Sequence, residues 1–547
     1  MANKRLFQSQ RWSEPKADTF NEAGGRAFNL TPEQALAQYV CTGCLNNTYY
    51  VSGGEQLDQV KALINKVSDE FAAAVAVYGR QKAGMKDMPA LVLALLASKK
   101  TNKATALFNR AFPRIVDNGK MLRTFIQIVR SGQTGRKSFG TTVKRAINDF
   151  LTGRKPEQLF RDTVGESPSL GDIVKMTHPR FEDSMLNEIV KRELGRQYNK
   201  RKLPKLVRDY EKFIEALSEG EGKDLTPPDV DFRLLTGCPL STKQWKQIAM
   251  DACERKRVQM VIGNLNTFVR HNALDDEVAR AIREMLEDED AIVGTPSRPS
   301  RLFPYKIWTA YHFAKDVPTK VKMGLARALD LSLSNLPEFD GQIVVAPDIS
   351  GSMSSPVTGN RGTATTKVQC RHVAALVSCV FLKKNPDNTV IMPFADRLFL
   401  EVGKLFDPLD TVATNVERIN RLPGGGTDVS LPLVEINRRG MQPDLVVYLS
   451  DMQSWIETAS GRDRYSGWGW GGGTTVAKKE WEALKRRNKR AKAVWINLQP
   501  SGTVQVPNRP DALNIGGFSD SVFQAMSSFM RAKDANSWVK EIKAFWE

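Results

Sequence analysis

Cysteine is scarce in this chain, with six among 547 residues. So few cysteines argue against a disulfide framework. Cys41 and Cys44 form a lone C-x-x-C pair, and no second pair of ligands is spaced to complete a zinc site. A redox motif would need a βαβ setting, whereas the surrounding pattern is helical. We therefore expect reduced cysteines with structural roles.

Long apolar runs are also missing. No stretch reaches the roughly 18 apolar residues that a membrane span needs, and the N-terminus lacks the apolar core of a secretory signal. The content of 41% hydrophobic and 26% charged residues is typical of globular proteins. We expect a cytoplasmic protein without a membrane partner, and its length predicts two or more domains.

Histidine is rarer still, with four residues. The stretch APDISGSM (346–353) contains two serines but lacks the G-x-S-x-G pattern of a nucleophile elbow. The histidine that follows it, His372, lies in an apolar helical segment, where packing is the more common role. A serine hydrolase is therefore disfavoured.

Basic residues are abundant, since the net charge is +18 and the pI is about 9.5. Both parts of the chain share this excess, so neither is an isolated basic tail. An acidic partner is favoured, with nucleic acid the first candidate. The alternative is that the charge only aids solubility.

Residues 30 to about 340 carry helical patterns almost throughout. Thr31, Pro32 and Gln34 form a predicted capping box, and Leu57, Val60 and other apolar residues recur at helical spacing. The segments at 88–98, 120–132 and 141–153 continue this pattern with short breaks. Many amphipathic helices with short connections predict an α-solenoid of stacked pairs. An ordinary large helical domain is the alternative.

The pattern changes near residue 341. Apolar strands at 343–348, 389–395, 444–451 and 493–500 alternate with helical segments. This alternation predicts an α/β domain with a mainly parallel sheet. Because ligands of such sheets bind at the carboxyl ends of strands, Asp348 and Asp451 are expected at one edge.

Oxygen ligands gather at that predicted edge. Asp348, Ser350 and Ser352 alternate, GGGTD (424–428) adds Thr427 on a flexible loop, and Asp451 follows a neighbouring strand. Hard oxygen ligands with few charges suit Mg²⁺ and leave a coordination position for an outside acidic group. The alternative is a metal-free cap, in which the serines cap the following helix.

The order D-x-S-x-S, then T, then D, on this framework, resembles the metal-ion-dependent adhesion site of the von Willebrand factor A domain. All five positions of that motif are present. The resemblance implies that Asp348, Ser350, Ser352, Thr427 and Asp451 ligate a divalent cation, directly or through water. It implies adhesion to an acidic protein partner and not catalysis.

The helical part resembles the TROVE module of Ro autoantigen proteins. The resemblance rests on NEAGGRAF (21–28), NTYY (47–50), IVRSGQTGR (128–136), KRAI (144–147) and SLGDIVKMTH (169–178). The two modules follow one another in the order of that family. Asn46 and Asn47 replace the glycines that usually precede TYY, and residues 137–143 look slightly expanded.

The resemblance to a bacterial-type Ro protein implies a ring of HEAT-like repeats (residues 1–338), closed at an A domain with a Rossmann-like fold (residues 339–547). It implies binding of a small noncoding Y-like RNA on the outer ring and of single-stranded 3′ ends of misfolded RNA in the central hole. The implied role is RNA quality control by a monomer that is not an enzyme, with an exoribonuclease tethered through the RNA.

Two basic groups are the candidate RNA contacts. The candidate residues are Arg130, Arg136, Lys137, Lys144, Arg145, Lys175, His178 and Arg180. Positive groups at a helix start oppose the helix dipole, so an anionic partner would relieve them. His178 is suited to stacking on a base or bonding a phosphate, although a histidine beside a proline is as often a surface or capping residue.

Two other functions stay open on the sequence alone. The first is a metal-dependent adhesion scaffold without a specific RNA. The second is a nuclease, which is disfavoured because two-metal enzymes need clustered carboxylates and only two acids converge here. The loop SGWGWGGG (466–473) offers a tryptophan pair for stacking or for partner contact.

Overall fold

The computed structural model describes residues 16–165, 167–295, 298–299, 302, 304–333, 339, 341–360, 367–404, 406–456, 475–517, 519, 521–531 and 536–547. The predicted domain boundary at 338/339 adjoins residues outside this part, and SGWGWGGG lies outside it entirely. The boundary therefore stays a prediction. Within the described residues, no helix combines the length and apolarity of a membrane span.

The chain opens with a small antiparallel pair and then becomes helical. The strands are β1 (Thr19–Phe20) and β2 (Arg26–Asn29). The first helices are α1 (Pro32–Thr42), α2 (Gly53–Ile64), α3 (Asp69–Gln81), α4 (Asp87–Ser98), α5 (Asn102–Ile115), α6 (Gly119–Arg130), α7 (Gly140–Thr152), α8 (Pro156–Asp162), α9 (Leu170–Thr177) and α10 (Ser184–Glu193). Helix α1 begins with the predicted capping box at Thr31.

The helical region continues to residue 331. Its remaining helices are α11 (Lys205–Ser218), α12 (Phe232–Leu235), α13 (Thr242–Glu254), α14 (Val258–Gly263), α15 (Leu265–Arg270), α16 (Asp276–Glu287), α17 (Glu289–Ile292), α18 (Pro304–Phe313) and α19 (Thr319–Leu331). The short strands β3 (Gly294–Thr295) and β4 (Arg298–Pro299) pair with one another. Helices adjacent in sequence pack together, for example α3 with α4 and α18 with α19, as the predicted stacked repeats require.

The last third of the chain is an α/β domain. Its strands are β5 (Ile343–Pro347), β6 (Thr389–Ile391), β7 (Leu445–Ser450), β8 (Lys492–Asn497), β9 (Thr503–Val504) and β10 (Ala512–Gly516). Its helices are α20 (Cys370–Lys384), α21 (Leu400–Gly403), α22 (Val412–Asn420), α23 (Leu431–Arg438), α24 (Val476–Arg487), α25 (Ser521–Arg531) and α26 (Ser537–Trp546). Five strands form a parallel sheet in the order β10-β8-β7-β5-β6, which confirms the predicted class.

Both faces of the sheet are buried, which explains why its strands are apolar runs. Alternate residues of β5 divide between two cores, with Val345 in the larger and Val344 in the smaller. The larger core is continuous with the helical region, and the smaller one is covered by α23 and α24. The sheet is thus held against the helical region on one face and by its own helices on the other.

Both ends of the helical region contact this domain. Helix α1 packs on β10 and α3 packs on α26, while α18 and α19 pack on α20 and α22. Contacts at both ends are what a ring that closes through the A-like domain requires.

The six cysteines are all free, and five of them are buried. Burial raises the pKa of the Cys253 thiol and of the Cys370 thiol to about 12. Both therefore stay protonated at neutral pH. The burial of five of them agrees with the structural role that the sequence predicts.

Candidate functional site

The two aspartates lie at the carboxyl ends of neighbouring strands, as predicted. Asp348 follows β5 and Asp451 follows β7, and these strands pair in parallel register. Both side chains are buried, with exposed fractions of 0% and 1%. The parallel sheet therefore brings together two acids that lie about a hundred residues apart in the chain.

Asp348 is held by hydrogen bonds on both of its carboxylate oxygens. Oδ1 accepts from the backbone N–H of Ser350 at 2.8 Å, and Oδ2 accepts from the Ser450 hydroxyl at 2.6 Å. The Ser450 hydroxyl in turn accepts from the N–H of Met452 at 3.0 Å. The orientation of this carboxylate is therefore set by two strand ends.

The two predicted serine ligands lie beside it. Ser350 and Ser352 are buried, and their hydroxyl oxygens are 3.3 Å apart. Ser350 precedes a short 3-10 turn at Gly351–Ser354, yet its side chain makes no capping hydrogen bond to that turn. The alternative of a metal-free serine cap is therefore not supported at Ser350, and its hydroxyl is available for another role.

Thr427 reaches the same edge on the predicted glycine loop. The carbonyl of Gly425 accepts from the N–H of Gly351 at 2.9 Å, so this loop lies against the D-x-S-x-S segment. The buried Thr427 accepts at its carbonyl from the N–H groups of Trp455 and Ile456. Gly426 permits this approach, because a Cβ there would lie 2.2 Å from a carbon of Ile456.

The oxygen set fits a divalent cation. Asp451 Oδ1 accepts from the N–H of Gln453, but its Oδ2 is buried without a hydrogen-bond partner among the described residues. Such an orphaned carboxylate oxygen is costly unless it meets a cation. Burial and the neighbouring Asp451 raise the pKa of Asp348, and burial raises that of Asp451. A bound cation would favour the charged forms of both.

A side chain from the helical region also reaches this site, which the sequence did not predict. The side chain of Tyr50 lies beside Ser352 and Asp451, and burial together with the charge of Asp451 raises its pKa to about 12. The preceding loop is tied to the α/β domain, because Asn46 Nδ2 donates to the Thr358 carbonyl at 2.8 Å and Asn360 N–H donates to the Asn47 carbonyl at 2.8 Å. Asn46 and Asn47 thus fix the loop that precedes Tyr50 against the α/β domain.

A second N-terminal loop approaches the other side. Gln453 Nε2 donates to Glu22 at 2.6 Å, and Asn21 Nδ2 donates to the Ser454 carbonyl at 2.8 Å. Gly25 allows this contact, since a Cβ there would lie 1.9 Å from the Ser454 carbonyl oxygen. The sequence analysis singled out the motifs at 21–28 and 47–50. Nothing in either motif indicated that these loops lie beside Asp348 and Asp451.

His372 packs, as predicted. Its ring lies 4.7 Å from that of Trp308 and 5.7 Å from that of His312, and its Nδ1 accepts from the N–H of Gln369. Burial lowers its pKa to about 4. This histidine is thus a neutral packing residue at the contact between α18 and α20.

The two predicted basic groups come together on one surface of the helical region. Arg130 ends α6 and donates to the sulfur of Met176 in α9, next to Lys175. Asn148 of α7 donates to the Thr177 carbonyl at 3.2 Å, next to His178. The ends of α6 and α9 and the exposed face of α7 therefore form a continuous surface.

Most of the candidate RNA contacts on this surface are exposed. The exposed members are Arg130, Lys137, Lys144, Arg145, Lys175, His178 and Arg180. His178 ends α9 in the left-handed conformation, with φ 53° and ψ 55°. This backbone geometry turns the chain after α9 and leaves the imidazole at the surface.

Arg136 differs from the others. Its guanidinium donates to the carbonyls of Ala97, Ser138 and Phe139 at 2.5 to 2.8 Å. These bonds fold the loop between α6 and α7, in which Gly132 adopts φ +80° beneath the side chain of Lys137. The structure gives Arg136 a role in loop structure, and its contact with RNA stays a prediction.

Comparison with known proteins shows what the chain is similar to. Residues 342–463 match the family model of the Ro60 vWA domain. RNA-binding protein RO60 of Deinococcus radiodurans is 23% identical over 539 residues, which cover 94% of this chain and 95% of the relative. The crystal structure of the Deinococcus radiodurans RO (RSR) protein superposes with a TM-score of 0.60 at 17% identity, covering 91% of this chain and 99% of that one. The superposition shows the shared fold, and the chain is similar over nearly its whole length to a bacterial Ro protein, with the Ro60 vWA model matched in its α/β domain.

Proposed function

We propose that this protein binds RNA and acts in RNA quality control in the cytoplasm. In this proposal a small noncoding Y-like RNA lies on the outer surface of a helical ring, and single-stranded 3′ ends of misfolded RNA enter the central hole. The protein itself does not cleave RNA, and degradation falls to an exoribonuclease tethered through the small RNA. The similarity of this chain to an RNA-binding protein of Deinococcus radiodurans supports RNA binding.

The proposal rests on the finding that the two groups of basic residues lie on one surface, formed by α6, α7 and α9. Lys144 and Arg145 lie exposed in the first turns of α7, and Lys175 lies exposed near the end of α9. Neither Lys144 nor Arg145 forms an ion pair among the described residues. Unpaired cations on a rigid helical surface are suited to phosphates, because counterion release drives such binding.

Crosslinking tests this proposal in the cell. The tagged full-length protein is irradiated, the attached RNA is sequenced and the crosslinked peptides are mapped. We expect one abundant structured small RNA, crosslinked between residues 120 and 200. Recovery of no enriched RNA, or crosslinks confined to residues 341–547, would contradict the proposal.

We propose a second function for the α/β domain, which is adhesion to an acidic protein group through a bound Mg²⁺. The buried Asp451 Oδ2 without a partner among the described residues supports it. Asp348, Ser350, Ser352, Thr427 and Asp451 would hold the ion, whose contribution is to bind a carboxylate from outside. Asp348→Ala is expected to remove Mg²⁺ binding in calorimetry and capture of a protein partner, while RNA affinity is retained. Loss of RNA affinity with an unchanged Mg²⁺ affinity would contradict this division of roles.

A further inference from the structure

A cavity of about 610 Å³ lies between α5 and α7, beside the basic surface. Its lining includes Asn109 and Pro113 from α5, and Arg145, Asp149 and Phe150 from α7, with Arg154 just beyond. This volume lies within the range of small-ligand pockets. Arg145 belongs both to the cavity lining and to the basic surface. An RNA bound on the basic surface would therefore reach the cavity.

An aromatic ring and a guanidinium plane form one wall. The Arg154 guanidinium lies 4.8 Å from the centre of the Phe150 ring. Arg154 is fixed from behind, since its Nε donates to Asp162 at 2.7 Å. Nucleobases stack on aromatic rings and on guanidinium planes.

Polar groups line the cavity without partners of their own. The side chains of Arg145 and Asp149 form no hydrogen bond or ion pair among the described residues. Pro113 lies inside α5 and lacks an N–H, so it cannot donate to the carbonyl of Asn109 four residues earlier. The cavity therefore presents the Asp149 carboxylate and the Asn109 carbonyl as acceptors and two cations, Arg145 and Arg154, while its other carboxylate, Asp117, is paired with Arg80.

We infer that this cavity binds one unpaired nucleotide of the RNA, and this inference rests on the proposed RNA binding. The base stacks against Phe150 and Arg154, and Arg145 contacts its phosphate. Asp149 and the Asn109 carbonyl accept hydrogen bonds from the base edge. Guanine presents two neighbouring donors on its pairing edge and uracil only one, so guanine is preferred. An acidic peptide is disfavoured because it carries no base to stack on Phe150 and Arg154.

Three RNA hairpins test the inference with the purified full-length chain. They share one stem and differ in carrying a single bulged guanosine, a bulged uridine or no bulge. Fluorescence anisotropy at one fixed salt concentration gives each Kd. We expect the hairpin with the bulged guanosine to bind at least about 5-fold more tightly than the fully paired hairpin, because one stacked base adds about that much affinity. The Kd of the hairpin with the bulged uridine should lie between the two.

Two variants assign the preference to the cavity. Phe150→Leu is expected to abolish the preference for either bulge while it leaves affinity for the paired stem unchanged. Asp149→Asn, which removes an exposed charge, is expected to abolish the discrimination of guanosine from uridine. Asp209→Asn on α11 removes a similarly exposed carboxylate away from the cavity and serves as the matched control.

The outcomes separate this inference from the proposed function. If the wild-type protein binds none of the hairpins, the proposed RNA binding is contradicted. If it binds all three equally, or if both cavity variants keep the preference for the bulged guanosine, RNA binding stands and the nucleotide cavity is overturned. Circular dichroism melting shows whether Phe150→Leu is folded, and Asp149→Asn decides the question if it is not.

Discussion

Asp348 and Asp451 are buried at neighbouring strand ends, and burial raises the pKa of both carboxyls. An acid whose pKa is higher in the folded than in the unfolded state stabilises the fold only at low pH, and this contribution is lost as pH rises through the folded pKa. A bound cation reverses this effect, because it favours the ionised carboxylates.

The pH dependence of unfolding follows from these shifts. With metal removed by a chelator, we expect the Tm of the protein to fall as pH rises from about 4, the ordinary pKa of Asp, to neutrality. Excess Mg²⁺ should raise the Tm most at neutral pH and so flatten the curve. Differential scanning calorimetry of the wild-type protein and Asp348→Asn measures both effects. Without metal, the Tm of Asp348→Asn should vary less with pH, and Mg²⁺ should raise it little. A rise in Tm with Mg²⁺ that is equal in the wild-type protein and the variant would contradict the metal site.

Tyr50 provides a second test at the scale of one hydroxyl. Its side chain comes from the helical region and lies beside Ser352, a proposed ligand. Partners that orient ligands typically contribute 10–100-fold to metal affinity. We expect Tyr50→Phe to weaken Mg²⁺ binding by about 10-fold in titration calorimetry. Tyr49→Phe changes the neighbouring, 62% exposed ring and is the matched control. An equal effect of the two substitutions would show that Tyr50 does not position the ligand.

Helix α9 ends in an unusual way, because a histidine stands where a glycine is common. It begins with a capping box at Ser169 and ends at His178 in the left-handed conformation, which costs a non-glycine residue about 1–2 kcal/mol. The fold thus holds an imidazole at a helix end where glycine would be more stable. Such a residue is a candidate for function, because its backbone strain is offset by the surrounding structure.

Replacing this residue separates function from stability. His178→Gly keeps the helix end and removes the imidazole. We expect an unchanged or slightly higher Tm, together with RNA affinity reduced about 5-fold or more, as the loss of one stacking contact would cause. Thermal melting and anisotropy titration with the same RNA measure the two quantities. A lower Tm with unchanged RNA affinity would make His178 a structural residue only.

The sequence predicted those elements whose burial pattern is local. Helix α4 is apolar nearly all round because its residues from Met88 to Ala94 are all buried. Strands β5 and β7 are apolar runs because both faces of the sheet are covered. Helix caps such as Thr31 are also local signals, so helix starts were predictable. The same holds for Asp348 and Asp451, which each follow an apolar strand directly.

Elements that depend on distant partners were not predicted. Strand β10 carries the buried Asn514, whose side chain donates to the Val506 carbonyl, so its sequence is no apolar run. Strand β9 pairs with β2 across more than 470 residues of chain. Tyr50 and Glu22 reach the candidate metal site for the same reason, since only the docking of the two regions places them there.

At the scale of the whole molecule, the chain's two ends hold the helical region and the α/β domain together. Arg110 and Arg114 on α5 donate to carbonyls at the end of α26, and their guanidinium groups lie 4.3 and 5.3 Å from the centre of the Trp546 ring. Lys543 forms an ion pair with Glu33 of α1 at 2.8 Å. The C-terminal helix therefore fixes the first helices of the solenoid.

The whole-molecule charge of +18 does not by itself locate an RNA surface. If RNA binds one specific surface, only charge changes on that surface weaken binding. If RNA is attracted by the net charge alone, equal charge changes weaken binding equally wherever they lie. Lys322 and Arg327 on α19 are exposed like Lys144 and Arg145 on α7, and each pair changes the net charge equally when reversed. This matched pair allows the two explanations to be separated.

The most direct test is therefore the affinity of the purified protein for a structured small RNA hairpin, measured by anisotropy over a series of salt concentrations. For the wild-type protein we predict an affinity that falls steeply with salt. Lys144→Glu with Arg145→Glu should weaken binding at least about 10-fold and reduce the slope of log K against log salt by about 2, whereas Lys322→Glu with Arg327→Glu should change binding far less. Equal losses in the two double variants, or a wild-type affinity independent of salt, would contradict an RNA surface on α6, α7 and α9.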